Sequence, residues 1–430
     1  MKSITITEYG SFSRDQAIPG YIPLPAKTFD ALEDFVLTNH NDHTDAQDLM
    51  GVSARKGVGH IITAKNYVGM IAMNDGTVIE ILPKTTESNI ADGKQLLIEM
   101  LKTLKDFPCK TLQTANLNTE KMSIFEIFIR MFLDEVFRIV KKGLSCDYET
   151  VASNERFFKG KLQIPAHIKH NYAHKERFFV SYDIFHVNRV ENRLLKSTLL
   201  YLYQKSASER NKTDIKTLLC SFVEVEPSVN PDVDFAKLSS DRRVKDYETV
   251  LQWCKVFLHG RTFTSFSGSE IAFALLFPME KLFESYIAAH MAQLLPKKEF
   301  ILRTQDQTHH LFDTPQKTFQ LRPDIVIEHI PSKSVFIMDT KWKLLTDTKF
   351  PYGIAQSDMY QMYAYQKKYG AKHITLLYPL TDRAPTETPI TFQSEDGVTV
   401  KAKFVDLLDV KNSLLAVLGD VITSEKSASG

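Results

Sequence analysis

The sequence predicts an α/β protein with a β-rich N-terminal region, a mainly helical middle region and a C-terminal α/β domain whose mixed sheet is flanked by helices. Three observations carry this reading. Apolar runs at 61–73 and 77–82 enclose Asn74-Asp75-Gly76, residue types that tolerate the positive φ of a tight hairpin. Leu96, Leu97, Met100, Leu101 and Leu104 recur at the three-and-four spacing of an amphipathic helix. Two short apolar stretches, 324–328 and 334–342, lie between two helical patterns, as expected for sheet covered by helix.

Along the chain, the helical pattern that starts near 91 is followed by a second at 124–140, rich in Phe and Ile. The segment 156–179 is basic, aromatic and irregular, and helices are expected at 190–203 and around 247–257. Pro227, Asn230, Pro231 and Asp232 mark a loop between them, and the turn-rich stretch 262–269 is the expected boundary before the last domain. The expected division is 1–110, 111–265 and 266–423, with a polar, frayed tail at 424–430.

Composition narrows the function classes. At 430 residues, with 43% hydrophobic and 24% charged, the chain is an ordinary globular protein long enough for two or three domains. A formal charge of +1 gives no global pull toward nucleic acid, so DNA contact must come from local patches or a partner. Cys109, Cys146, Cys220 and Cys254 form no C-x-x-C pair, which argues against a zinc ribbon or redox dithiol and for reduced thiols in a cytosol. No signal-peptide core or bilayer-spanning stretch is visible, so a cytoplasmic protein without membrane contact is expected. The phosphate-cradling G-x-x-x-x-G-K-[ST] loop is missing too, since Lys94 precedes Gln95 and Lys161 precedes Leu162. The expectation is that this chain binds no nucleotide.

The chemistry-bearing residues lie after 277. Period-two alternation puts Val335, Ile337, Asp339 and Lys341 on one strand face, so an acid and an amine emerge together at its end. Asp324 begins the neighbouring strand and meets them if the two pair across Pro331 and Ser332. An isolated D-x-K is most often a strand-end turn with a solvated lysine. Here the charges end a strongly apolar run and further matching groups flank it. The 278–295 helix turns Phe283, Tyr286 and Ile287 inward and carries Glu280 and Glu284 one turn apart; either could complete a metal shell, or be an exposed helix glutamate. The 357–369 helix sets Asp358, Gln361 and Tyr365 on one face, where Gln361 and Tyr365 would support the site, and the strand at 374–378 is expected to run parallel to the 335 strand. Two carboxylates that hold Mg²⁺, or Mn²⁺ in its place, and a cation that offsets charge growing on phosphorus are what phosphodiester hydrolysis needs.

The order Glu284, Pro323-Asp324, Asp339-Thr340-Lys341, then Gln361 to Tyr365 resembles the PD-(D/E)xK nuclease superfamily. Asn66-Tyr67-Val68-Gly69, the 77–84 segment ending in Pro83-Lys84, Phe158-Lys159-Gly160-Lys161-Leu162, the 190–196 segment and Leu282-Phe283-Glu284-Ser285-Tyr286 are similar to the McrC family. The resemblance implies a restriction-endonuclease-like C-terminal domain, with Asp324 and Asp339 as metal ligands and Asp324, Asp339, Lys341 and Glu284 as catalytic residues. It also implies a nuclease subunit of a modification-dependent restriction system acting on double-stranded DNA. Its partner would be a hexameric AAA+ GTPase ring of the McrB type, docked through the N-terminal region and stimulated in GTP hydrolysis. A non-catalytic adaptor for a ring NTPase and a stand-alone nuclease are the alternatives.

Two further features have plainer readings. His167, His170 and His174 share a helical spacing, but no acid or cysteine adjoins them, and a solvated basic face is the simpler account. Lys159, Lys161, Lys169, Lys175, Arg156 and Arg177, interleaved with Phe157, Phe158, Tyr172 and Phe178, are a candidate DNA-backbone surface.

Overall fold

A computed structural model describes residues 2–38, 40–41, 44–45, 49–86, 90–105, 107–108, 122–238, 242–259, 271–347, 350–385 and 389–426. The expected domain edges at 110/111 and 265/266, the 262–269 boundary and residues 427–430 of the tail lie outside the described residues. Residues 424–426, also assigned to the tail, close the Val410–Lys426 helix instead. Among the described residues no helix is long and apolar enough to cross a membrane.

Two compact units emerge: Met1–Ile124 together with Phe263–Gly430, and Phe125–Thr262. This grouping differs from the three-region expectation, and one strand explains why. Ile271–Pro278, assigned by sequence to the last domain, pairs antiparallel with Tyr67–Met73 and completes the N-terminal sheet in the order Lys2–Thr7, Thr77–Leu82, Tyr67–Met73, Ile271–Pro278. Gly69 permits the close approach. It has φ +133°, and a Cβ there would stand 2.1 Å from the Leu275 carbonyl oxygen.

The expected hairpin forms between Tyr67–Met73 and Thr77–Leu82, with Gly76 at φ +85° and Asp75 Oδ1 accepting the Thr77 N–H at 2.7 Å. Every residue of Thr77–Leu82 is buried. That includes Glu80, which Lys94 Nζ neutralises at 2.9 Å; a buried charge of this kind is retained only when paired. The apolar run 61–73 is split at Lys65–Asn66, because its first half, in Gly59–Ala64, belongs to a separate sheet with Met50–Arg55, Ser11–Arg14 and Ile22–Leu24. The Ile90–Thr103 helix buries Leu96, Leu97, Met100 and Leu101, as its spacing predicts.

The six-stranded sheet of the same unit runs Phe300–Thr304, Ile325–His329, Val335–Thr340, His373–Pro379, Thr399–Val405, Ile390–Gln393. Ile325–His329 and Val335–Thr340 pair antiparallel, with Ile325 opposite Met338. Val335–Thr340 and His373–Pro379 pair parallel, joined by the Gln356–Tyr369 helix as a parallel crossover requires. Val326, Ile337, Ile374 and Leu376 from the sheet and Met362 and Tyr365 from the helix share one core.

The second unit packs Phe125, Phe128 and Phe132 of Ile124–Lys142 against Trp253 and Phe257 of Glu248–His259. Its helices Val190–Lys205 and Glu248–His259 match the expected positions. The mainly helical reading holds among the described residues, and a small sheet adds to it. Asp147–Glu155, Phe178–His186 and Lys161–Leu162 form an antiparallel sheet, with nine-residue strands paired from Asp147↔His186 to Glu155↔Phe178. Within the segment expected to be irregular, Ile164–Asn171 is a helix. Of the two long strands only Val180 is buried, so no polar–apolar alternation marked them. Within residues 206–246, where the sequence marked only a loop at 227–232, stand helices Glu209–Leu219 and Pro231–Ala236, capped by the side chains of Ser208 and Asn230, so Pro231 and Asp232 open a helix and do not belong to the loop.

Candidate active site

The antiparallel register brings the start of one strand beside the end of the next. Asp324 immediately precedes Ile325–His329, and its Oδ2 accepts both the N–H of Thr340 at 2.8 Å and its hydroxyl at 2.7 Å. Asp339, the penultimate residue of the partner strand, is only 2% exposed. Lys341 Nζ meets Asp339 Oδ2 at 2.6 Å and donates to Gln361 Oε1 at 3.2 Å; Asp358 Oδ1 stands 4.0 Å away. Gln361 Nε2 in turn donates to the hydroxyl of Tyr365 at 2.7 Å. The helix face expected from the 358, 361 and 365 spacing therefore surrounds the lysine.

Glu284 lies half-buried on the Met279–Leu294 helix. Gln305, at φ +51° just beyond Phe300–Thr304, joins it to the cluster: its Nε2 donates to Glu284 Oε1 at 2.7 Å and to Asp324 Oδ1 at 3.2 Å. Sequence reasoning missed Gln305. No spacing rule ties it to Asp324, and only the pairing of Phe300–Thr304 with Ile325–His329 brings it near. Glu280, the alternative acid, is turned to other work, its carboxylate accepting from the Asn66 amide.

The electrostatics are those of a crowded acid site. Burial, followed by the charge of Asp324, pushes Glu284 up to about 7. Burial also raises Asp324, against the opposing hydrogen bonds of Thr340. Asp339 is raised by burial first and then by the charge of Asp324. Burial alone would lower the Lys341 ammonium, but Asp339, Asp358 and Asp324 outweigh it and hold the group above its ordinary value. Lys341 is thus a fixed cation near neutral pH, not a proton acceptor.

A divalent cation fits this donor set. Asp339 Oδ2 has the Lys341 ion pair but no aligned hydrogen bond, and the mutual repulsion of the acids is what a bound metal relieves. Among the described residues no three His, Cys, Asp or Glu side chains form a ready-made metal cage. Asp324 and Asp339 would supply two ligands and leave the remaining positions to water and phosphate, the usual manner of Mg²⁺. The three histidines make no such set. His167 Nδ1 lies 3.0 Å from Asn171 Nδ2 and His170 stacks on Phe179, while His174, contrary to the expectation that no acid adjoins the three, lies 3.3 Å from the single carboxylate of Glu176.

Residues 62–379 match the family described as McrBC 5-methylcytosine restriction system component. The chain belongs to this family. Its fold is similar to a chain in the refined half-complex from a tetradecameric assembly of Thermococcus gammatolerans McrB AAA+ hexamers with bound McrC. That likeness has a TM-score of 0.69 at 19% identity and covers 97% of this chain and 100% of that one. A chain of the Thermococcus gammatolerans McrBC complex determined by cryo-EM matches with a TM-score of 0.50 at 20% identity, over 69% of this chain and 90% of that one. No curated protein sequence matches.

In this McrBC family member the residues that suggested McrC have identifiable physical roles. Gly69 admits the Ile271–Pro278 strand, Asn66 holds the first turn of the Glu284 helix through its carbonyl and amide, and Lys84 follows the fully buried strand of the hairpin. In the second unit, Gly160 has φ +67° and a Cβ there would stand 2.3 Å from the Ser181 carbonyl oxygen. Asn192 donates to the carbonyls of Ser145 and Val187 at 2.9 and 2.7 Å.

Proposed function

We propose that this chain is the nuclease subunit of a modification-dependent, methylcytosine-type restriction system in the cytoplasm. It hydrolyses phosphodiesters of double-stranded DNA with Mg²⁺, in assembly with a McrB-like AAA+ GTPase ring whose GTP hydrolysis it stimulates, and its C-terminal domain is of the PD-(D/E)xK type. The observation that carries this reading is the cluster at the ends of two paired strands: Asp324 fastened by Thr340, Asp339 buried against Lys341, and Gln305 linking Asp324 to Glu284. Family membership and the fold likeness to a McrB assembly with bound McrC support the partner.

Asp324 and Asp339 would hold the metal, which when bound supplies Lewis-acid polarisation of the phosphate and an activated water. Lys341, steered by Gln361 and Asp358, offers a fixed positive charge where the phosphorane oxygens become more negative. Tyr365 steadies Gln361, and Glu284, held by Gln305, completes the acidic side of the site. Asp339→Asn in the full chain should abolish cutting of methylated DNA while assembly and stimulated GTP hydrolysis persist; undiminished cutting by that variant ends the reading.

A further inference from the structure

The end of the candidate catalytic strand is fastened to the N-terminal sheet by buried polar contacts that the chemistry above does not use. Trp342 directly follows Lys341 and is 5% exposed. Its indole N–H is shared between the two oxygens of Glu8, at 3.0 Å to each. Glu8 lies just past Lys2–Thr7 and is 3% exposed. It accepts the Lys84 N–H at 3.1 Å, while its own N–H donates to Leu82 O at 3.0 Å. Lys84 Nζ stands 5.6 Å from the centre of the Trp342 ring and 4.6 Å from that of Tyr9.

The same indole touches the second catalytic element. The Trp342 and Phe283 ring centres are 5.3 Å apart, and Phe283 precedes Glu284 on the Met279–Leu294 helix. The N-terminal sheet also grips the start of that helix, since the Met279 N–H donates to Asn66 O at 3.1 Å. A buried carboxylate is costly, and burial pushes Glu8 up to about 7. An apolar contact would join the two sheets without that cost. A directional bond to a buried charge instead restricts the junction to one geometry.

We propose that Glu8 and Trp342 are positioning residues of the nuclease centre: their hydrogen bond sets the backbone that carries Lys341 and, through Phe283, the helical turn that carries Glu284. A displacement of the N-terminal sheet then moves both groups together. This rests on the nuclease reading above.

The test has two arms. In one, the full chain assembled with its purified AAA+ ring cuts a methylated duplex at saturating Mg²⁺ and DNA. In the other, the metal-free chain alone is followed by amide hydrogen–deuterium exchange. Trp342→Phe keeps the ring and removes the donor, Glu8→Ala removes the acceptor, and Glu8→Gln keeps one. Trp342→Phe and Glu8→Ala should slow cutting roughly ten- to hundred-fold, the scale of a misplacement near 1 Å, with DNA affinity unchanged. Both should speed exchange at 283–285 and 340–343. Glu8→Gln should restore rate and exchange, and the Trp342→Phe/Glu8→Ala double variant should lose no more than either single one, because both remove the same bond.

Trp342→Phe cutting at the unaltered rate, exchange unchanged in both segments, or additive losses in the double variant each overturn the proposal. An unaltered chain that fails to cut defeats the nuclease reading itself, and the positioning role with it.

Discussion

Thr340 gives both its backbone N–H and its hydroxyl to a single oxygen of Asp324, at 2.8 and 2.7 Å. Asp324 therefore depends on the residue between Asp339 and Lys341, and the spacer of the D-x-K sequence has a chemical role of its own. Both bonds favour the ionised acid against the burial that raises it. Thr340→Val keeps the shape and the N–H but removes the hydroxyl. Chemical denaturation at pH 8 should show a loss of roughly 1.5–3 kcal/mol, the size of a hydrogen bond to a charged group, and DNA cutting should slow in parallel. A variant as stable and as active as the unaltered chain would show the hydroxyl to be idle.

Gln305 places one amide between two acids that repel each other. Its removal in Gln305→Ala leaves Glu284 and Asp324 without their shared donor, so Asp324 should be less ready to accept a metal. The expected result is a requirement for more Mg²⁺, with apparent affinity or rate lowered roughly ten- to hundred-fold, as for other residues that orient metal ligands. A Mg²⁺ titration of single-turnover cutting measures it, and an unchanged titration curve contradicts the role.

Glu8 makes stability depend on pH with a definite sign. Burial raises it from 4.5 to about 7, so between these values the folded chain holds a proton that the unfolded chain has released. Its contribution is therefore most favourable below 4.5, is lost as pH rises toward 7, and is level above that. The loss is on the order of 3 kcal/mol, since each tenfold change in proton affinity is worth about 1.4 kcal/mol. Glu8→Gln has no charge to bury, so the difference in unfolding free energy between variant and unaltered chain should move in favour of the variant from pH 5 to pH 8. A difference that stays constant over that range refutes the assignment.

Gly69 is held at φ +133° with the Leu275 carbonyl where a Cβ would sit. Gly69→Ala combines backbone strain with a steric clash and should force Ile271–Pro278 away from Tyr67–Met73. A cost of several kcal/mol is expected, well beyond the roughly 1 kcal/mol typical of single substitutions. Gly76→Ala, at an open turn with φ +85° and nothing within 4 Å of a Cβ, should be much milder. Equal denaturation midpoints for the two variants would contradict the pairing.

Much of the candidate site is legible in the primary sequence because its signals are local. Asn74-Asp75-Gly76 turns the chain whatever surrounds it, and the period of two at 335–341 places Asp339 and Lys341 on one side. The intervals among Asp358, Gln361 and Tyr365 put all three on one helix face. These regularities come from backbone geometry repeating over a few residues. By contrast, the 147–155 and 178–186 strands left no trace in the apolar pattern, because burial in them is confined to Val180.

The remainder belongs to the folded chain alone. Gln305 reaches Glu284 and Asp324 only once Phe300–Thr304 has paired with Ile325–His329. Ile271–Pro278 joins a sheet built from residues some two hundred positions earlier, and Trp342 finds Glu8 across 334 residues of sequence. The amino-acid order by itself determined the strands, the turn and the faces that carry the acids and the lysine, since these follow from neighbours in sequence. Which acid joins the cluster, which amide bridges it and what anchors the strand end were decided by tertiary packing, because burial and long-range hydrogen bonds exist only after distant segments meet.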